Sequence, residues 1–406
     1  MQVGWGRSQG QLVCSVREGE ELTGCVVIDS LVRGRACGGL RMVPHIDETK
    51  MRRLASNMTL KYGFLGMPRG GAKAAVRGDP EGPESDRFQL LADFGRAIAP
   101  LLRQRIFSPG ADSGTEPAGI RHMLESVGMS AQRRWSEAVP PGYYPALTVL
   151  TGIQRAARHL GLGLEGCTAA VQGWGKVGSA LGSLLAQSGI PVVAISTSRG
   201  AIHNGQGLDV GELLRLAREH GSRVVEVYRH AERIDLESLL RLDVDVLCPC
   251  AISDAIHGGN APAVQARMVV SGANNAVTPE ADRVLFERGV LCLPDFMTNC
   301  GIILGSAMEL AWIPTEQVSS FIAEHVGASI TGLLDEAGRQ QVPLREVAVP
   351  YAHRRFERMC QDAERTTMLG RLIEFGVALN RHGLVPGPVV AAASRQYFRR
   401  MVAQNW

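Results

Sequence analysis

Aromatic residues make up only 5% of this 406-residue chain, which leaves few platforms for stacking nucleic-acid bases. The 43 Lys and Arg residues are nearly balanced by 40 Asp and Glu, for a net charge of +3, and they form no basic stripe. A nucleic-acid partner is therefore not expected. No apolar run reaches the roughly 18 residues a membrane helix needs. The closest, Gly301–Pro314, is too short and is interrupted by Glu309. Met1–Glu20 lacks the charged-then-apolar pattern of an export signal, so a cytoplasmic protein with no membrane partner is expected. The nine cysteines are scattered, with no C-x-x-C pair. The closest two, Cys248-Pro249-Cys250, have no histidine pair at zinc spacing. Reduced thiols and no metal site follow as expectations. Internal repeats and low-complexity stretches are also lacking.

What the chain has in quantity is apolar residues, at 45%, and glycine, at 47 residues. Its length suggests two or three domains at about 150 residues each. The N-terminal third has a mixed α/β pattern, with strands expected over Gln11–Val16 and Leu22–Asp29 and a helix over Glu48–Tyr62. A glycine-rich loop, Gly66–Ala74, is expected next, then a second helix over Ser85–Arg103. A strand over Ile106–Gly114 runs into another small-residue loop, and Val139–Pro145 has the composition of a hinge. Beyond it, short apolar strands alternate with helices, the pattern of a doubly wound parallel sheet. From about Pro314 the chain is expected to be helical. The expected division is a first domain of residues 1–145, joined by C-terminal helices 345–406, and a Rossmann-type dinucleotide domain of residues 146–344.

Gly173-Trp174-Gly175-Lys176-Val177-Gly178 follows the apolar strand Ala169–Val171 and opens a helix. In that context, the first glycine allows a tight turn, the second admits a pyrophosphate, and the third lets helix pack on strand. The free N–H groups of the helix start then face the phosphates. About twenty residues on, where a carboxylate would take a ribose 2′-hydroxyl, stand Thr197, Ser198 and Arg199. Hydroxyls and a guanidinium suit a 2′-phosphate, so NADP is expected beside or ahead of NAD.

Lys61 and Lys73 lie twelve residues apart, the second just after Arg69-Gly70-Gly71-Ala72. A partly desolvated lysine has a lowered pKa and becomes a proton-transfer group near neutrality. A second lysine offers a point charge for a substrate carboxylate. Asp112 stands in another small-residue segment, Pro109-Gly110-Ala111-Asp112.

These motifs together resemble the glutamate/leucine/phenylalanine/valine dehydrogenase superfamily. The similarity runs through Gly38-Gly-Leu-Arg-Met42, Lys61, Gly70-Gly-Ala-Lys73 and Pro109-Gly-Ala-Asp112. It continues through the phosphate loop, Cys248-Pro-Cys-Ala251, Ser271-Gly-Ala-Asn-Asn275 and Pro294-Asp-Phe-Met-Thr-Asn299. The resemblance implies reversible oxidative deamination of an L-amino acid to its 2-oxo acid and ammonia with NAD or NADP, in a homo-oligomer. It also implies a cleft between the domains that closes on substrate. By the same resemblance Lys73 and Asp112 are the catalytic residues and Lys61 binds the α-carboxylate. Gly71, Asn299, Ile303 and Ser306 fall on the substrate side. Thr148, Ala251 and Asn274 fall on the cofactor side, with Gly173, Gly175, Lys176, Val177, Gly178, Thr197, Ser198 and Arg199.

The chain departs from the family pattern at three places. Cys37 stands where glutamate enzymes carry a lysine for the side-chain carboxylate, so ordinary glutamate activity is not expected. Arg69 replaces an apolar residue, and its planar fork suits an acidic or hydrogen-bonding side chain. Ile302 replaces a glycine, adding volume and restricting φ. Two substrate readings stay open: a polar or acidic amino acid held by Arg69 and Ser306, or an apolar one with Arg69 uninvolved. A catalytically silent nucleotide-binding relative, acting as sensor or scaffold, is the alternative to an enzyme.

Overall fold

The computed structural model describes residues 2–8, 10–129, 139–140, 142–364, 391, 394–395 and 397–399. They form two compact units. The first takes in the described residues up to 129 and the last helix from Ala352 onward; the second takes in the described residues from 139 to Tyr351 and those from 391 to 399.

The first unit is a six-stranded mixed sheet: β1 (Gln2–Ser8), β2 (Gln11–Glu18), β3 (Glu21–Ile28), β4 (Ala36–Val43), β5 (Gly70–Arg77) and β6 (Phe107–Ala111), in the order β1-β2-β3-β5-β4-β6. β1, β2, β3 and β5 pair antiparallel, whereas β4 runs parallel to both β5 and β6. Helix α1 (Glu48–Leu65) packs on β5. The Asp47 side chain caps its N-terminus by accepting from the Lys50 N–H, and Gly66, at φ +68°, closes its C-terminus in the left-handed region that glycine tolerates. Helices α2 (Glu84–Ala97), α3 (Ala99–Arg103) and α4 (Pro117–Glu125) complete this part. Apolar side chains alternate along the strands. Leu40, Met42, Ala72, Ala74 and Val76 join one core with Leu91, Phe94 and Met123. Val27 and Ala75 join the other with Met51, Leu54 and Ala55.

Residues 66–74, expected as a loop, are a strand from Gly70 onward. A Cβ on Gly70 would lie 2.0 Å from the Ser30 carbonyl oxygen, and one on Gly71 would lie 2.3 Å from the Thr59 nitrogen. The two glycines serve close packing of β3, β5 and α1, not a turn. Gly38-Gly39 is likewise strand, within β4, and Lys61 lies inside α1, four residues before its end.

The second unit opens with α5 (Tyr143–His159), whose first turn already occupies the end of the expected hinge. There follow β7 (Ala169–Gln172), α6 (Lys176–Gln187), β8 (Val192–Thr197), β9 (Gly200–His203), α7 (Val210–His220), α8 (Val224–Val227), β10 (Glu232–Ile234), α9 (Leu236–Leu240), β11 (Val246–Pro249) and β12 (Met268–Val270). Then come α10 (Pro279–Glu287), β13 (Leu291–Leu293), α11 (Asp295–Thr298), α12 (Gly301–Leu310), α13 (Thr315–Phe321), α14 (Gly327–Gln340) and α15 (Leu344–Glu364). The sheet order is β10-β9-β8-β7-β11-β12-β13, with β8 through β13 parallel and the β9–β10 hairpin as an antiparallel edge. The chain leaves β7 to one side for β8 and returns on the other for β11. The crevice beyond the carboxyl ends of β7 and β11 is where open α/β sheets take ligands. Strands β7, β11 and β12 are wholly buried, as parallel strands with both faces covered must be.

The helical C-terminal region is present as α12 to α15, while most of 365–406, including Arg400, lies outside the described residues. From Ala352 onward α15 belongs to the first unit. There Arg355, nearly buried, donates to the Phe64 and Leu65 carbonyls at the end of α1. No helix among the described residues is long and apolar enough to cross a membrane.

Candidate active site

In the first unit the alternation of β4 places Cys37, Gly39 and Arg41 on one face. Register sets Cys37 against Gly71 of β5 and Ser108 of β6, and Gly39 against Gly110 of β6. The missing side chain at Gly39 is filled from elsewhere. A Cβ there would lie 2.3 Å from Asp112 Oδ2, so the Asp112 carboxylate lies over the glycine. Lys73, on β5, reaches the same carboxylate and pairs with Oδ2, while Arg41 Nε approaches Oδ1 at 3.3 Å.

The turn after β6 holds Asp112 in this place. The Thr115 hydroxyl donates to the Leu40 carbonyl (2.8 Å) and accepts from the Asp112 backbone N–H (2.9 Å). The Ser113 N–H donates to Oδ1 at 2.7 Å. Gly114, at φ +75°, lies so near the Met42 carbonyl that a Cβ would come within 2.2 Å of its oxygen.

Burial lowers the Lys73 ammonium from its ordinary range. The pull of Asp112 opposes this, and Arg41 adds to the lowering. For Asp112 burial is the largest single influence and pushes the carboxyl up. Lys73 and Arg41 together, with the Ser113 N–H, outweigh it and hold the group well below the usual carboxylate range. A buried amine biased toward neutrality thus lies against a carboxylate fixed in its ionised form. Such a pairing is chemically suited to proton exchange.

Lys61, on α1, is 3% exposed. Only four of the 43 basic residues are lysines, at 50, 61, 73 and 176, and two of these are the buried ones in this unit. Arginine does not release its proton in proteins, whereas a buried lysine does. Such scarcity makes the two buried lysines stand out in the sequence.

Beside the pair, Cys37 hydrogen-bonds Tyr62 of α1. Burial raises the Cys37 thiol and raises the Tyr62 hydroxyl well above its usual value, so both are neutral. Arg69, half-buried, is electrostatically coupled to both groups. Its only polar side-chain contact among the described residues is the Pro68 carbonyl at 3.3 Å. Gly71 is tied down by its neighbours: its N–H donates to Ser30 Oγ (2.8 Å) and its carbonyl accepts from the Asp29 N–H (2.9 Å). Asp29 itself accepts from Gln11, Ser56 and Thr59, linking β2, β3 and α1.

In the second unit the phosphate loop sits at the carboxyl end of β7. Gly173 has φ +97°, and a Cβ on it would meet Ala251 at 2.7 Å; one on Gly178 would lie 1.9 Å from the Gly173 carbonyl oxygen. Gly175 faces open space and is exposed, as is Lys176 at the start of α6. The packing roles fall on the outer glycines and the approach role on the middle one, so the loop fits a dinucleotide. The Ser196 hydroxyl, buried, accepts from the Gly173 N–H at 3.0 Å, and the Trp174 ring covers Gly182. Val177 and Cys250 line Gly272, and Asn299 donates to the Gly272 carbonyl (3.0 Å) and to Asn274 Oδ1 (3.2 Å).

Thr197 Oγ1 donates to the Ser222 carbonyl and accepts from the Arg199 N–H. The hairpin turn at Ser198 and Arg199 is exposed, and the Arg233 guanidinium, from β10, donates to the Arg199 carbonyl at 3.4 Å. Thr148 is fully buried, and its hydroxyl donates to the Pro145 carbonyl of its own helix. Ile302, in the first turn of α12, has helical backbone and is 39% exposed, so no unusual φ is asked of it. Ile303 and Ser306 follow on the same helix, half-buried.

Arg41, Tyr62, Thr115 and Ser196 carry parts of these arrangements that motif spacing does not reveal. For Arg41 the period-two alternation Cys37-x-Gly39-x-Arg41 was an available signal. Thr115 and Tyr62 depend on contacts between elements and left none.

Residues 144–362 match the family model described as Glutamate/Leucine/Phenylalanine/Valine dehydrogenase, and residues 10–129 match the Glu/Leu/Phe/Val dehydrogenase dimerisation domain. The chain is 33% identical over 346 residues to glutamate dehydrogenase of Thermotoga maritima, covering 80% of this chain and 81% of that protein. It is also 33% identical over 296 residues to NADP(+)-dependent glutamate dehydrogenase of Pyrobaculum calidifontis, covering 69% and 70%. Among solved structures, the Leu-bound hetero-hexameric glutamate dehydrogenase of Thermus thermophilus superposes with a TM-score of 0.74 at 27% identity, over 88% of this chain and 90% of that one.

Proposed function

The chain belongs to the glutamate/leucine/phenylalanine/valine dehydrogenase family, and from that membership we propose that Lys73 and Asp112 catalyse the reversible oxidative deamination of an L-amino acid. The enzyme is an amino-acid dehydrogenase acting on the CH–NH2 group with NAD or NADP. The observation that carries the residue assignment is the buried Lys73–Asp112 pair over Gly39. A nicotinamide dinucleotide, which Gly173, Gly175 and Gly178 would hold, would supply the hydride acceptor for the substrate Cα once the ammonium has given up a proton, so that the substrate is carried to its iminium. Neutral Lys73 then takes a proton from water as its oxygen attacks the iminium carbon. Asp112 relays a proton to the departing amine. The products are the 2-oxo acid and ammonium, with water consumed. Because Lys73 must be neutral to act as base, the deamination rate rises with pH through its lowered pKa.

Lys61 is assigned to the substrate α-carboxylate. Lys61→Ala is expected to raise the KM for the amino acid by about tenfold or more, since a charge-assisted contact is lost. An unchanged KM removes Lys61 from this role.

Cys37, a neutral thiol, cannot pair a side-chain carboxylate, so the substrate is read as other than ordinary glutamate. Arg69, without an acidic partner among the described residues, favours a polar or acidic side chain over an apolar one. A screen of the twenty amino acids, and of their 2-oxo acids with ammonia, identifies the substrate by absorbance of the reduced cofactor. Absence of turnover with all of them would leave the catalytically silent alternative. Arg69→Met is expected to shift the preference toward apolar amino acids; an unaltered profile dismisses Arg69 from the pocket.

For the cofactor we favour NADP. Arg199 and Arg233 lie near the end of β8, and no carboxylate stands at positions 196–200. Arg199→Ala is expected to lower kcat/KM for NADP about tenfold with little change for NAD. A wild-type enzyme strongly preferring NAD refutes the preference. A homo-oligomer is the assembly proposed, to be measured by light scattering.

A further inference from the structure

The functional reading assigns no work to Arg41, yet of the cations around Asp112 it alone approaches Oδ1 (3.3 Å) while Lys73 takes Oδ2. Its side chain is 14% exposed, and the Nε has no hydrogen-bond partner of ideal geometry, so it acts on the carboxylate as a close charge. Backbone geometry sets Arg41 within reach. Arg41 stands two residues beyond Gly39 on the same face of β4, and the carboxylate lies in the space Gly39 leaves. Ser113 N–H shares Oδ1. Oδ1 of Asp112 thus meets a backbone N–H and a close guanidinium charge, and Oδ2 meets the mobile end of a lysine.

We propose that Arg41 is a positioning residue for Asp112: by holding Oδ1 it restricts proton exchange to Oδ2 and keeps the carboxylate from capturing Lys73 as a static ion pair. In the exchange, the Lys73 N–H bond breaks and an Oδ2–H bond forms in transit, and Asp112 then passes this proton to the substrate nitrogen, leaving a neutral amine and the carboxylate again ionised. Arg41 changes neither its bonds nor its charge. Against an otherwise free carboxylate, a lysine would remain protonated. A second cation on the opposite oxygen weakens that hold through space by charge competition. The titratable groups acting on the pair are Arg41 and Cys37 on β4; behind Cys37 lie Tyr62 on α1, which hydrogen-bonds it, and Arg69, which acts on both.

The inference rests on the catalytic reading of Lys73 and Asp112, and its test does not depend on turnover. With four lysines in the chain, trace acylation by acetic anhydride across a pH series, followed by mass spectrometry, follows Lys73 individually, with Lys50 as internal reference. Only the neutral amine reacts. Arg41→Met is expected to slow acylation of Lys73 at pH 8 by about fivefold or more relative to Lys50 and to move its profile to higher pH. Arg41→Lys should restore most of the rate, and Arg41→Gln serves if the methionine variant does not fold. In an Asp112→Asn background the same Arg41 substitution should have a much smaller effect. An unshifted profile overturns the proposal. An equal shift in the Asp112→Asn background also overturns it, since Arg41 would then act on Lys73 directly. Failure of the amino-acid screen would instead overturn the catalytic reading and leave the acylation result standing.

Discussion

Lys73→Ala is expected to lower kcat by about 10²- to 10⁴-fold, the usual worth of a positioned proton-transfer group. The folded protein should persist. The neighbours of Lys73 on β5, Ala72, Ala74, Ala75 and Val76, supply the apolar contacts of that strand, and Asp112 keeps Arg41 and the Ser113 N–H as partners. The measurement is steady-state kinetics on the best substrate from the screen, alongside a thermal melt. Lys73→Arg is the sharper companion. It retains the positive charge and the ion pair but cannot supply a neutral amine, so it should be as inactive as the alanine variant. If the arginine variant turns over at a tenth of the wild-type rate or better, Lys73 acts as a charge and not as a base.

Alanine at two adjacent glycines should fail in two different ways. At Gly38 the new Cβ would lie 1.6 Å from the Ala72 carbonyl oxygen, which is backbone of the paired strand β5. Nothing there moves without parting β4 from β5, so Gly38→Ala is expected to destabilise the protein by more than about 4 kcal/mol, among the largest costs of single substitutions. At Gly39 the Cβ would meet the Asp112 side chain, 2.3 Å from Oδ2. A side chain yields where a paired strand does not. Gly39→Ala should therefore fold, with Asp112 displaced and kcat lowered about 10²-fold, the penalty for a misplacement of about 1 Å at a reacting group. Thermal melts and kinetics on the two variants separate the cases. If Gly39→Ala retains full activity, the carboxylate is not held over this position during the reaction.

Much of the fold was legible beforehand. The alternation of strands and helices from β7 to β13 is written in short apolar runs, because a parallel sheet buries both faces of each strand. The phosphate loop is legible because its glycines are demanded by local backbone geometry: φ at Gly173 and contact at Gly178. The segment Gly66–Ala74 was legible in its residues but misassigned in its form. Glycine pairs ordinarily signal turns, and nothing local to Gly70-Gly71 reveals that Ser30 and Thr59 press against them from β3 and α1. Thr115 was hidden by a similar limit, its contact with the Leu40 carbonyl being made across elements, whereas Arg41 shares the face of Gly39 by alternation and lacked only the carboxylate some seventy residues on to give that placement meaning.

By itself the sequence determined the family and the nucleotide-binding half, and it singled out Lys61 and Lys73 as the candidate amines, because these rest on residue type and short-range spacing. A chain that spends 39 of its 43 basic residues on arginine marks its few lysines, the difference being the four counted above. Tertiary structure alone decided which oxygen of Asp112 meets which cation, that Lys73 is a strand residue shut away from water, and that an absent side chain at Gly39 makes room for the pair. The reason is physical. Burial and charge set the proton affinity of these groups, and both are sums over neighbours that only the folded chain brings together.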